Sequence, residues 1–346
     1  MRCFSIGLAA TALALVACAD DALAPAAGGG GAFADATAGS APSAGQTGEG
    51  GGASDGGGSS TGGGAGQGGA PPSACAAQGP SGDLERMVDV GGEARRVLLH
   101  VPPGLAPDAA TPLVVVMHGF TESPEDIRAI THFDEVADER GFIVAYPEGK
   151  SGSWNGGTCC GLSELMGEPD VTFVSAVIDD VSASHCVDPT RVHAAGFSNG
   201  GFMAHRLACE LSDRIASIGV VAGQESLESC TPARPVAVLQ IHGTSDPVVP
   251  FGGNPFLGYP TTESTVTGWI ERDQCEGEET STYDADGVSC VARQTCAASA
   301  AVELCTVDGG GHDWFGGGDA WTADGPPDGF VATLHIADFL AAHPMN

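Results

Sequence analysis

Gly196-Phe197-Ser198-Asn199-Gly200-Gly201 decides how the rest of the chain is read. Before it lies Arg191-Val192-His193-Ala194-Ala195, a short run suited to a strand. After it comes Phe202-Met203-Ala204-His205-Arg206-Leu207-Ala208, a run suited to a helix. A serine on a sharp strand-to-helix turn projects its Oγ above a sheet, and glycines on either side let the two backbones approach closely enough to make that turn. Ser198 is then a candidate nucleophile. A chain with 53 glycines also produces Gly-x-Ser-x-Gly by chance, so the motif needs partners.

A serine hydroxyl is a poor nucleophile at neutral pH and needs a histidine base, itself oriented by a carboxylate. Downstream, Ile241-His242-Gly243-Thr244-Ser245-Asp246-Pro247 places Asp246 just past a predicted strand. Gly309-Gly310-Gly311-His312-Asp313-Trp314 places His312 in a glycine-rich loop after the last one. Sites in open α/β sheets gather beyond strand ends. The rival acids Asp308 and Asp313 sit very close to His312 along the chain. Of the rival histidines His118, His242, His205 and His335, the last two fall within predicted helices. An oxyanion hole needs two backbone N–H donors. Asn199, after the nucleophile, is one candidate. Phe120, in Met117-His118-Gly119-Phe120-Thr121, is the other, although His118-Gly119 also reads as a plain strand-ending turn.

Strand-like and helix-like segments alternate. Strands are expected at Arg95–Val101, Leu113–Met117, Phe142–Tyr146, Ser217–Val221, Val236–Ile241 and Ala301–Val307. One helix should start at Ser123-Pro124-Glu125-Asp126 and stop at Gly141, and Asp170 should cap another that carries Val174, Val177, Ile178 and Val181 on one face. Further helices are expected at 200–211, 265–272 and 331–342. Such alternation implies a mostly parallel sheet with helices on both faces.

Residues 1–18 read as an export signal: Arg2, then an apolar run too short for a transmembrane helix. Leu15-Val16-Ala17-Cys18 resembles a bacterial lipobox, which would lipidate Cys18, while Ala17-Cys18-Ala19 also fits simple secretion. Residues 19–74 are Gly, Ala, Ser and Thr with almost no large apolar side chain, a composition that reads as a flexible tether reaching about 40 Å. The rest, 75–346, is about 270 residues, enough for one large α/β domain. A net charge of −31 argues against nucleic acid or anionic lipid as partners. The protein should be extracellular or at the cell surface, monomeric, and in contact with a membrane only through a lipid on Cys18.

Of 12 cysteines, setting aside Cys3 and Cys18 leaves ten. No Cys-x-x-Cys pair occurs among them, so disulfides are expected and a metal site is not. Cys209 with Cys230 would contribute about 3 kcal/mol by loop closure. Adjacent Cys159 and Cys160 would strain a mutual bridge, so each should seek a distant partner, with Cys75 and Cys186 as candidates.

From about Val90 to Gly318 the chain resembles the polyhydroxybutyrate depolymerase and feruloyl esterase family of secreted serine esterases. The matching pieces are His118-Gly119-Phe120-Thr121, Ser153-Trp154-Asn155 with Cys159-Cys160-Gly161, and Val187-Asp188-Pro189-Thr190-Arg191-Val192. Gly196 through Gly201, His242-Gly243-Thr244-Ser245-Asp246 and Gly310-Gly311-His312-Asp313-Trp314 complete the set. The resemblance implies a single-domain α/β-hydrolase fold, hydrolysis of carboxylic esters, and no metal or organic cofactor. Trp314-Phe315-Gly316 departs from the family's frequent Trp-Pro-Gly and touches the pocket rim. Local spacing also suggests Cys275 with Cys296 and Cys290 with Cys305. The resemblance places Trp154 and Trp314 near the nucleophile, where aromatic faces suit a planar acyl group or a sugar ring; packing within the loops is the alternative for both, and weighs more for Trp154. Feruloyl or acetyl esters of plant polysaccharides are therefore expected ahead of crystalline polyhydroxybutyrate, because the stretch after His312 is filled by a loop and the closing helix. A polyester hydrolase is the alternative. A peptidase shares the triad logic, and a non-catalytic surface-binding lipoprotein is disfavoured by a complete triad in order.

Overall fold

The computed structural model describes residues 78–345 except 323, 324 and 326. The expected signal (1–18), the tether (19–74) and Cys18 lie outside the described residues. Strands β1 (Gly82–Val90), β2 (Glu93–Val101) and β3 (Thr111–Met117) are followed by helices α1 (Pro124–Thr131) and α2 (Phe133–Arg140) and by β4 (Ile143–Pro147). Next come α3 (Gly161–Met166), α4 (Asp170–Ser184), β5 (Val187–Phe197), α5 (Asn199–Glu210), β6 (Ser217–Val221) and β7 (Ala237–Gly243). The chain then forms α6 (Thr262–Arg272), β8 (Thr280–Ala285), β9 (Val288–Arg293), β10 (Val302–Val307) and α7 (Ala332–Ala342).

Among the described residues, ten strands make one sheet in the order β1-β2-β4-β3-β5-β6-β7-β10-β9-β8. Pairing is parallel across the middle, from β4 to β10, and antiparallel at both margins. The middle strands are apolar on both faces because both faces are covered. In β3, Leu113, Val115 and Met117 join one core with Phe173 of α4, Met203 and Leu207 of α5 and Trp269 of α6. Val114 and Val116 join the other, with Ile127 of α1, Phe133 of α2 and Ile336 and Phe339 of α7. This is an α/β-hydrolase fold, and the carboxyl ends of its parallel strands open at one edge. No helix among the described residues is long and apolar enough to cross a membrane.

The local expectations fail at several points. The helix expected from Ser123 to Gly141 is two helices, broken at His132, whose φ is 54°. There the ring stacks on Trp321 with centroids 4.7 Å apart and its Nε2 meets the Gly318 carbonyl at 3.0 Å. Those long-range contacts outweigh local helix propensity. Ser123 does cap α1, in a capping box with Asp126. Asp170 caps nothing: it is the first residue of α4, and its carboxylate takes Arg95 at 2.6 Å and the Asn155 N–H at 2.8 Å. The margin strands β1, β8 and β9 and the short α3 have no counterpart in the sequence reading: β1 and β8 carry mostly partly or fully exposed residues, and α3 is only six residues long.

Cys209–Cys230, Cys275–Cys296 and Cys290–Cys305 are bonded. Cys159 and Cys160 are bonded to each other, against the expectation of distant partners. Every other cysteine described is paired elsewhere, including Cys186, and Cys75 lies outside the described residues.

Asp273, just past α6, is fully buried and accepts the Val236 N–H at 3.0 Å. Burial pushes its carboxyl up to about 7. The unfolded chain ionises this group near pH 4 and the folded chain only near pH 7, so stability falls as pH rises through that window. The loss at pH 8 is about 4 kcal/mol at most. Asp273→Asn should therefore gain several degrees more in Tm over the wild type at pH 8 than at pH 5. An equal Tm difference at both pH values would contradict this.

Candidate active site

β5 ends at Phe197 and α5 begins at Asn199, so Ser198 makes the turn alone. Its φ of 53° and ψ of −119° lie outside the regions that L residues normally occupy. Packing holds this strain. A Cβ on Gly196 would stand 2.1 Å from the Gly200 carbonyl oxygen, and one on Gly200 2.1 Å from that of Met117. Only glycine permits either approach.

Asp246 follows β7 and His312 follows β10, two adjacent strands, so their loops meet above the elbow. His312 Nε2 lies 2.9 Å from Ser198 Oγ, and His312 Nδ1 lies 2.7 Å from Asp246 Oδ2. A carboxylate only accepts, so Nδ1 carries the proton and Nε2 is left to accept from the hydroxyl. Asp246 Oδ1 takes the N–H groups of Val248 and Val249 at 2.8 and 2.9 Å. Burial pushes the Asp246 carboxyl up, but hydrogen bonds from His242, His312 and the Val249 N–H outweigh it and hold the group well below the usual range. Asp246 thus stays ionised beside His312. The rivals are placed elsewhere: Asp308 and Asp313 are exposed, and His335 pairs with Glu303 at 3.0 Å.

In the loop after β3, Glu122 Oε2 takes the Gly119 N–H at 2.8 Å and the Gly152 carbonyl takes that of Thr121 at 2.7 Å. Between them, the Phe120 N–H meets no acceptor among the described residues. Asn199 opens α5, where the first N–H groups of a helix lack intrahelical acceptors. His118 steadies this loop through its own Gly119 carbonyl at 2.8 Å and the Gly149 N–H at 2.9 Å. Burial lowers its pKa, which keeps it neutral. As site residues, the sequence reading does not name Glu122, and it names His242 only as a rival to His312 for the base. The available signals were Glu122 four residues after His118, and His242 four residues before Asp246.

Two expected substrate-facing rings are placed differently. Trp154 is entirely buried, and its Nε1 donates to the His118 carbonyl at 3.0 Å. The Asn199 side chain clamps the Trp154 backbone through N–H and C=O at 2.7 and 3.0 Å. Trp314 is also buried, edge-on to Phe133 and Phe197, with Nε1 on Thr333 Oγ1 at 2.8 Å. Both rings brace the loops from beneath, because the core claims their large apolar area. An aromatic ring of the oxyanion loop that does face solvent is Phe120, 48% exposed. It lies against Gly161, where a Cβ would meet it at 2.4 Å.

Residues 96–256 match the family described as Esterase PHB depolymerase. The chain is 36% identical over 256 residues to "Putative esterase NocK" of Nocardia uniformis subsp. tsuyamanensis, covering 67% of this chain and 74% of that protein. It is 32% identical over 234 residues to feruloyl esterase B of Piromyces equi, covering 63% of this chain but only 42% of that protein. Among solved structures, an S-formylglutathione hydrolase from Agrobacterium tumefaciens aligns with a TM-score of 0.50 at 13% identity, over 78% of this chain and 99% of that one. That last likeness is one of fold alone.

Proposed function

The chain belongs to the Esterase PHB depolymerase family and is a carboxylic ester hydrolase, and from that premise we propose that it is an exported serine esterase acting on feruloyl or acetyl esters of plant polysaccharides. Ser198, His312 and Asp246 are its proposed triad. The observation that carries this reading is the pair of contacts at His312, 2.9 Å to Ser198 Oγ and 2.7 Å to Asp246 Oδ2. Ser198 attacks the ester carbonyl carbon while His312 Nε2 takes the hydroxyl proton. Asp246 holds the ring in the Nδ1–H form and stabilises the imidazolium. The N–H groups of Phe120 and Asn199 receive the oxyanion. His312 then gives its proton to the leaving alcohol, and a water molecule repeats the sequence to release the acid and regenerate Ser198.

The substrate class is supported by the likeness to a protein named feruloyl esterase and by the half-exposed Phe120 ring beside the proposed oxyanion donor, a face that suits a planar acyl group. A second reading, a short-chain polyester or polyhydroxybutyrate hydrolase, is favoured by a different observation. Besides Phe120, the large apolar side chains of Leu162, Leu165, Met166, Phe256 and Leu257 stand exposed in the flanking segments, and an apolar film would cover them. One preparation assayed on methyl ferulate, acetylated xylan and polyhydroxybutyrate film separates the two. Release of ferulate or acetate with little film clearing is expected. Fast clearing without either release would overturn the ranking.

Export rests on residues 1–18, with 19–74 as a tether and 75–346 as the catalytic domain. In a bacterial host, Cys18 should carry lipid, and Cys18→Ser should release the protein or reroute its processing. A mature N-terminus that mass spectrometry finds unmodified and starting at Asp20 would argue for simple secretion.

A further inference from the structure

Next to Asp246, α5, β7 and α6 bury a row of polar side chains that the mechanism above does not use. Trp269 Nε1 lies 3.1 Å from His205 Nδ1, His205 Nε2 lies 3.0 Å from Gln240 Oε1, and Gln240 Nε2 lies 3.3 Å from His242 Nδ1. His242 Nε2 in turn lies 2.8 Å from the Val249 carbonyl and 3.4 Å from Asp246 Oδ2. All four side chains are fully buried, so no water competes for these bonds.

The direction of the row follows from donor inventory. An indole N–H only donates, so His205 Nδ1 accepts. Burial keeps that ring neutral, with pKa down to about 3, so its one proton sits on Nε2 and goes to Gln240 Oε1. The other end of Gln240 is fixed independently, because its Nε2 also donates to the Gly223 carbonyl at 2.9 Å. Its second N–H faces His242 Nδ1. A separate branch reaches the same atom. Gln224 donates to Thr262 Oγ1 at 3.4 Å, which leaves the hydroxyl proton to point at His242 Nδ1, 3.2 Å away. Two donors converge on Nδ1, so the His242 proton is on Nε2 and aimed at Asp246 and the Val249 carbonyl.

We propose that this one-way chain, which starts at Trp269 and crosses the nucleophile's own helix at His205, makes His242 a positioning residue for Asp246. The proposal rests on the triad reading. Oδ1 of Asp246 is held by two backbone N–H groups. Oδ2 faces His242 Nε2, whose N–H is anchored on the Val249 carbonyl at 2.8 Å and which lies 3.4 Å from Oδ2. The carboxylate therefore meets His312 in one orientation. Groups that hold a reacting carboxylate in place act on turnover more than on substrate affinity.

The test joins two readouts on the full chain. NMR of protein labelled with ¹⁵N-histidine should show His205 and His242 protonated at Nε2 and bare at Nδ1, and Trp269→Phe should remove the fixed form at His205. In ester hydrolysis, His242→Leu should lower kcat by about ten- to a hundredfold with KM little changed. His242→Gln, whose amide can still donate toward Asp246, should recover most of that loss. A proton on Nδ1 of His242 would overturn the proposal, as would wild-type kcat in His242→Leu. Ser198→Ala in the same assay separates the failures. If it is inactive while His242→Leu turns over normally, only the chain's role is lost; if it stays active, the triad reading itself is wrong.

Discussion

Ser198→Ala is expected to lower ester turnover at least about a thousandfold while the protein folds normally. The hydroxyl is the attacking group, and without it no acyl-enzyme forms. Whatever catalysis remains must come from the oxyanion donors polarising the carbonyl toward water. The fold should tolerate the change, since the strained turn is imposed by Gly196 and Gly200 rather than by the serine side chain. Alanine accepts a positive φ about as poorly as serine does, so the strain is not worsened. A circular dichroism spectrum and Tm close to wild type would establish that the loss is chemical. Activity near wild type in this variant would remove Ser198 from the mechanism.

Asp246→Asn is expected to cost about a thousandfold or more in kcat with KM changed much less. The carboxylate accepts from His312 Nδ1 at 2.7 Å, from His242, and from two backbone N–H groups. An amide has a single accepting oxygen for these four donors. If that oxygen faces Val248 and Val249, the NH₂ group faces His312 and asks Nδ1 to accept. The ring proton then moves to Nε2, where it blocks acceptance from Ser198. If the amide turns the other way, the Val248 and Val249 N–H groups lose their acceptor, and the buried Val249 one costs about 1–3 kcal/mol. Either arrangement damages the enzyme, the first in rate and the second in stability. A kcat within tenfold of wild type and an unchanged Tm would contradict this reading of Asp246.

The sheet and the elbow were legible because their signals are local. Valine runs mark strands covered on both faces, and two glycines around Ser198 mark a turn where no Cβ fits. Asp246 and His312 could be named because each stands just after a strand, and the structure brings Asp246 within hydrogen-bond distance of the His312 ring and that ring within hydrogen-bond distance of the Ser198 hydroxyl. What the sequence did not disclose depends on partners far away in the chain. His132 breaks a helix because Trp321 and the Gly318 carbonyl lie beside it. Trp154 is a brace rather than a substrate platform because Asn199 and His118 hold it beneath the surface. Asp170 reads as a cap, yet Arg95 from β2 claims its carboxylate. The bond between Cys159 and Cys160 runs against the local rule that adjacent cysteines avoid each other. The row next to Asp246 draws on α5, β7 and α6, and no spacing within one segment announces it.

Covalent trapping reads the nucleophile directly. The full chain is incubated with a dialkyl fluorophosphonate, and peptide mass spectrometry then locates the adduct while residual esterase activity is followed in parallel. Addition of one phosphoryl group to the peptide that contains Ser198, in step with loss of activity and absent from Ser198→Ala, is the expected result. Inactivation with the label on another residue, or full ester turnover by protein labelled at Ser198, would show that Ser198 is not the attacking group.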